Sequence, residues 1–187
     1  MPLVHTTRLF WKGPQKSGPA RQLARPEFLH EVRAALHASN LPPERLGLEI
    51  TESILIKESG SPRSTLEALR DIGVKVLIDD FGTGYSSLAR LKRFPLDVIK
   101  IDRSFVDGVG AEDEDTAIVA AIVEIARSLG LQVVAEGVEG EVQLERLRDL
   151  GCHAVQGYLF SGPLQGDAFA AFLVDEEPDA QRAVAAM

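Results

Sequence analysis

Apolar residues recur along this chain in two alternating patterns. Leu66 to Ile72, Ile118 to Leu129 and Val142 to Leu150 carry apolar positions three and four apart, the spacing of an amphipathic helix. Each is followed by a glycine (Gly73, Gly130, Gly151), which suits the left-handed position that closes a helix. Short apolar runs come next: Val74 to Ile78, Leu131 to Ala135 and Cys152 to Val155. Their β-branched, nearly continuous character predicts strands buried on both faces. Two further units follow the same plan. Pro26 to Ala38 predicts a helix with Phe28, Leu29, Val32 and Leu36 on one face, ahead of a Pro42-Pro43 turn and a strand at Leu46 to Thr51. Ser86 to Lys92 predicts a shorter helix before Phe94-Pro95 and a strand at Asp97 to Asp102. About five parallel strands with helical crossovers make an α/β fold. Outside the pattern, residues 1–19 offer only Leu3 to Trp11 as a strand, and residues 174–187 form an acidic, alanine-rich tail.

Length sharpens this picture. A closed (β/α)₈ barrel takes about 250 residues, and this chain has 187. Charge narrows the partners: 20 Lys and Arg against 28 Asp and Glu leave a net −8, which argues against DNA or RNA. With one cysteine, Cys152, there is no internal disulfide. No apolar run reaches membrane-spanning length, and the start lacks a signal-peptide core, so the expected location is the cytoplasm.

The predicted strand ends hold the chemistry. In parallel α/β folds ligands bind at the carboxyl ends of strands. Here those ends read Glu49-Ile50-Thr51-Glu52, Asp79-Asp80, Lys100-Ile101-Asp102, Glu136-Gly137-Val138-Glu139 and Gln156-Gly157-Tyr158. Acids gathered at neighbouring ends repel one another, so a cation belongs among them. Carboxylates suit Mg²⁺ or Mn²⁺. Zinc fits less well, because His5, His30, His37 and His153 have no ligand spacing with Cys152 or one another. Adjacent carboxylates such as Asp79 and Asp80 can serve two metals in phosphoryl chemistry, with Lys100 orienting a water or a phosphate oxygen. Blander readings stand beside this one. Asp79-Asp80 also fits a solvated turn, Lys100 and Asp102 a simple ion pair, and Glu52 and Glu139 helix caps.

The loop Asp80-Phe81-Gly82-Thr83-Gly84-Tyr85 contains a kinase-like Asp-Phe-Gly without the companion kinase motifs, and two glycines of a dinucleotide fingerprint without the third. Its glycines are better read as those of a mobile loop beside the site. His30 and His37 are expected at the surface of a helix, and Cys152 in the core.

Taken together, Leu48-Glu49-Ile50-Thr51-Glu52, Ile78 to Leu88, Ile99-Lys100-Ile101-Asp102, Val134 to Glu139 and Gln156-Gly157-Tyr158 resemble the EAL domain, the bacterial cyclic di-GMP phosphodiesterase, in family order over roughly residues 20–173. The resemblance implies a modified TIM barrel with one antiparallel strand. It implies two Mg²⁺ or Mn²⁺ ions and hydrolysis of cyclic di-GMP to linear pGpG. By position, Glu49 and Asp79 would bind the first metal, and Asp79, Asp80 and Glu136 the second, with Asp79 bridging. Lys100 would hold the attacking water. Asp102, Glu139 and Gln156 would support the site, and Glu52 would tether the Asp80–Tyr85 loop, which in this family couples dimerisation to catalysis.

The resemblance also has departures. It lacks the family's Glu-Ala-Leu strand, whose glutamate is a metal ligand. Ser17-Gly18-Pro19 stands where the family carries an Asn-x-Ser ligand segment. The expected organisation is therefore an altered segment at 1–19, a partial EAL domain at 20–173 and a tail at 174–187. Five strands do not close an eight-stranded barrel, and open edges invite pairing, so an incomplete barrel finished by a second copy or another chain is expected. Three functional readings follow: a metal-dependent phosphodiesterase with a depleted first metal site and hence weak or no activity in the isolated chain, a degenerate module that binds a nucleotide or protein without hydrolysis, or a non-functional fragment of a longer enzyme.

Overall fold

The computed structural model describes residues 9–11, 23–25, 27–52, 62–84, 88–162, 164 and 168. Expectations for Ser17-Gly18-Pro19, Tyr85 and residues 174–187 lie outside these. The chain divides into two compact bodies, with the boundary between Ile99 and Lys100.

The first body carries β1 (Leu9–Trp11), α1 (Phe28–Ser39), a 3₁₀ turn at Pro43–Arg45, β2 (Leu46–Thr51), α2 (Pro62–Asp71), β3 (Lys75–Phe81) and α3 (Leu88–Leu91). Its strands are parallel: Leu9 pairs with Leu46, and Gly47 through Thr51 pair with Lys75 through Asp79. Val76, Leu77 and Ile78 are wholly buried on both faces of β3, as the continuous apolar run predicts. Helix α2 presents Leu66 and Leu69 to that core. It starts at Pro62, ahead of the apolar stripe, because proline at a helix start gives up an N–H that has no helical partner there.

The second body carries α4 (Arg103–Val106), α5 (Asp113–Ser128), β5 (Gln132–Glu136), α6 (Glu141–Asp149) and β6 (Ala154–Gln156). Strand β4 (Val98–Ile101) supplies its last two residues to this body. β5 and β6 are parallel, with Val134, Ala135 and Glu136 opposite Ala154, Val155 and Gln156. Helix α5 extends five residues ahead of its predicted start at Ile118. That extra turn holds Asp113, Glu114 and Asp115, whose negative charges favour the positive end of a helix. Gly73, Gly130 and Gly151 all have positive φ after their helices, as the pattern predicts.

Cys152 is buried, and burial pushes its thiol up to about 12. Beside it, His153 Nδ1 accepts from the Val133 N–H at 3.1 Å, while the His153 N–H donates to the Val133 carbonyl at 3.0 Å. A ring nitrogen that accepts a bond carries no proton, and burial further lowers the His153 pKa from 6.5. The unfolded chain therefore binds a proton that the folded one refuses. This contribution to stability is complete above about pH 6.5 and is lost as the pH falls below it. Urea midpoints at pH 7.5 and 5.5 should differ less for His153→Asn than for the native chain; an equal pH dependence in both would refute this role.

Candidate metal centre

The candidate side chains form two groups, one in each body. In the first, parallel pairing places Thr51 opposite Asp79, so β2 and β3 end together. Glu49 and Asp79 are buried, with 7% and 5% exposure, and each brings a carboxylate oxygen within 4.8 Å of the other's. At an effective dielectric of 20, two unit charges at that spacing repel by about 3 kcal/mol. Buried like charges therefore favour a cation between them, and an all-oxygen donor set suits a hard divalent ion.

Asp80 follows with φ 53°, one of two non-glycine residues at positive φ among those described. In a regular strand its side chain would point opposite to that of Asp79. The left-handed turn breaks that alternation, and aspartate is among the few residues that tolerate it. Thr83 closes the turn, its hydroxyl donating to the Asp80 carbonyl at 2.8 Å. Glu52, 6% exposed, accepts from the Gly84 N–H at 3.1 Å. It thus grips the loop after β3. Gly84 leaves room for that carboxylate: a Cβ there would lie 2.8 Å from Glu52 Oε2.

In the second body Lys100, 1% exposed, forms an ion pair with Glu136 Oε1, and Gln156 Nε2 donates to the same oxygen at 2.8 Å. Asp102 accepts from the Ser104 N–H at 3.0 Å and caps α4, so the simple Lys100–Asp102 pair is replaced by Lys100–Glu136. Glu139 pairs with Arg103 at 2.7 Å. Arg103 escapes sequence reading because its partner lies 36 residues away with no periodic signal. A Glu67-Ala68-Leu69 tripeptide does occur, but on helix α2. There Leu69 is buried and Glu67 meets Arg63 at 2.8 Å, so it supplies no strand-end carboxylate.

The EAL domain family model matches residues 17–163. The chain belongs to the EAL domain family. Its α/β fold with parallel strands is that of EAL TIM-barrel domains. The EAL domain of Mycobacterium smegmatis DcpA matches at TM-score 0.78 and 42% identity, over 83% of this chain and 70% of that one. The cyclic di-GMP phosphodiesterase NbdA of Pseudomonas aeruginosa is 49% identical over 154 residues, 82% of this chain and 20% of that protein. Klebsiella pneumoniae BlrP1, solved as a manganese and cyclic di-GMP complex, matches at TM-score 0.69 and 38% identity, over 76% of this chain and 36% of that one. The chain spans about a fifth of the length of the curated relatives it matches first. Among the described residues no helix of this EAL domain is long and apolar enough to cross a membrane.

Proposed function

We propose that this EAL domain binds cyclic di-GMP and hydrolyses one of its phosphodiesters to linear pGpG. The observation that carries the reading is the buried Glu49–Asp79 pair at the ends of adjacent parallel strands, an all-oxygen donor set that suits a hard divalent cation. Glu49 and Asp79 would hold the first ion, and Asp79, Asp80 and Glu136 the second, Mg²⁺ or Mn²⁺ in either place. Bound there, the two cations supply Lewis acidity to the phosphate and to the attacking and leaving oxygens.

The chain's own residues do the remaining work. Lys100, paired with Glu136, would orient the attacking water. The water oxygen bonds to phosphorus, the bond to the ribose 3′ oxygen breaks, and the proton ends on that 3′ hydroxyl. Gln156 fixes Glu136 through its amide, Glu139 and Asp102 shape the adjoining loops, and Glu52 anchors the loop after β3. A completing chain or second copy would cover the open strands, and the cytoplasm is the compartment in which cyclic di-GMP would be met.

A second reading, nucleotide or protein binding without hydrolysis, is favoured by one feature: the chain's Glu-Ala-Leu lies on α2 and lends no ligand to the first metal. Incubation with cyclic di-GMP and excess Mn²⁺, followed by chromatography of the products, separates the two. Release of pGpG that stops on chelation is the expected result. Binding by calorimetry without pGpG would establish the second reading and dismiss the first.

A further inference from the structure

Gln143 makes four hydrogen bonds between segments that its place in the sequence does not connect. Its Oε1 accepts from the Glu139 N–H at 2.8 Å and the Gly140 N–H at 3.1 Å. Its Nε2 donates to the Val106 carbonyl at 3.1 Å and the Asp107 carbonyl at 3.3 Å. The first pair lies at the start of α6, where amides have no helical acceptor; the second lies at the end of α4, where carbonyls have no helical donor. One half-buried side-chain amide therefore satisfies an end of each helix. Helix α4 begins three residues after Lys100, at Arg103, and the Glu139-Gly140 turn comes three residues after Glu136. Arg103 strengthens the same junction. Its stem lies where a Cβ on Gly137 would sit, 2.4 Å from the Arg103 Cγ, and its guanidinium holds Glu139.

We propose that Gln143 is a positioning residue for the Lys100–Glu136 pair, tying the loop after β5 to the helix after β4 so that the two strand ends keep a fixed separation. This rests on the proposed role of Glu136 as a metal ligand. A helix cap alone needs only the accepting half of the amide, whereas a tie between the two segments needs both halves. Gln143→Glu retains the acceptor for Glu139 and Gly140 but no longer donates to the Asp107 carbonyl or to the Val106 carbonyl, which keeps its bond from the Val109 N–H. Gln143→Ala removes both.

The test compares native chain, Gln143→Glu and Gln143→Ala by calorimetry with Mn²⁺, by hydrogen exchange over residues 134–140, and by thermal melting. Gln143 acts on Glu136 through the backbone of its loop and not by a bond to the carboxylate, so both variants should bind Mn²⁺ measurably more weakly, by about tenfold at most, while melting within a few degrees of the native chain. The added negative charge of Gln143→Glu would act in the opposite direction, towards tighter binding. A Gln143→Glu variant with native Mn²⁺ affinity would reduce Gln143 to a cap and overturn the proposal. If the native chain binds no Mn²⁺, the functional reading fails and exchange still decides the tie. Exchange at residues 136–138 should then be about tenfold faster in both variants, and native rates in Gln143→Glu overturn it.

Discussion

Asp79→Ala is expected to remove Mn²⁺-dependent release of pGpG. Asp79 is buried within 4.8 Å of Glu49, at the ends of adjacent parallel strands. As the proposed bridging ligand it would serve both ions, and its loss should cost about a thousandfold or more in turnover, roughly 4 kcal/mol of transition-state stabilisation. Metal should also stabilise the native chain by mass action. Adding Mn²⁺ should therefore raise the native melting temperature and leave that of Asp79→Ala unmoved. Persistence of Mn²⁺-dependent hydrolysis in the variant would exclude Asp79 from the centre. An equal metal-induced rise in both proteins would place the ion elsewhere.

The largest expected effect on stability is at Gly157. A Cβ there would lie 2.1 Å from the Val138 carbonyl oxygen and 2.3 Å from its nitrogen. These are backbone atoms already committed: the Val138 N–H donates to the Gln156 carbonyl at 3.1 Å, and the Val138 carbonyl accepts from the Leu159 N–H at 3.0 Å. No rotamer change can relieve the clash, so Gly157→Ala must push apart the segments that follow β5 and β6. The expected cost is about 3 kcal/mol or more. For a chain of this size that lowers the melting temperature by roughly 6 to 12 °C. A variant melting within about 2 °C of the native chain would show that the segments separate freely. Because Glu136 and Gln156 pair at the same strand ends, the variant's metal affinity should fall with its stability.

The repeated helix, glycine and strand units were legible in the sequence because each depends on local rules. Apolar spacing marks the buried face, glycine supplies the left-handed stop, and a β-branched run marks a strand covered on both sides. Glu49 and Asp79 were legible as candidates, and so were Lys100 and Glu136, because charged residues at the carboxyl ends of apolar strands have few structural uses. What stayed hidden depends on contacts across space. The partner of Lys100 is Glu136, not its near neighbour Asp102, because Asp102 turns back to cap α4. The roles of Arg103 and Gln143 arise only when loops 36 or 37 residues apart meet. The early start of α5 was missed for the reason that it is charged: its first turn has no apolar stripe, and acids at a helix start are an electrostatic signal.

The state of Cys152 bears on how such contacts could be watched. It is the chain's single cysteine, buried, and burial pushes its thiol up to about 12, which disfavours the reactive thiolate at pH 7. To maleimides and nitroxide reagents the native chain is thus nearly blank. A cysteine introduced at exposed Val142, next to the turn gripped by Gln143, would take up a spectroscopic label at one address without first deleting a native thiol from the core.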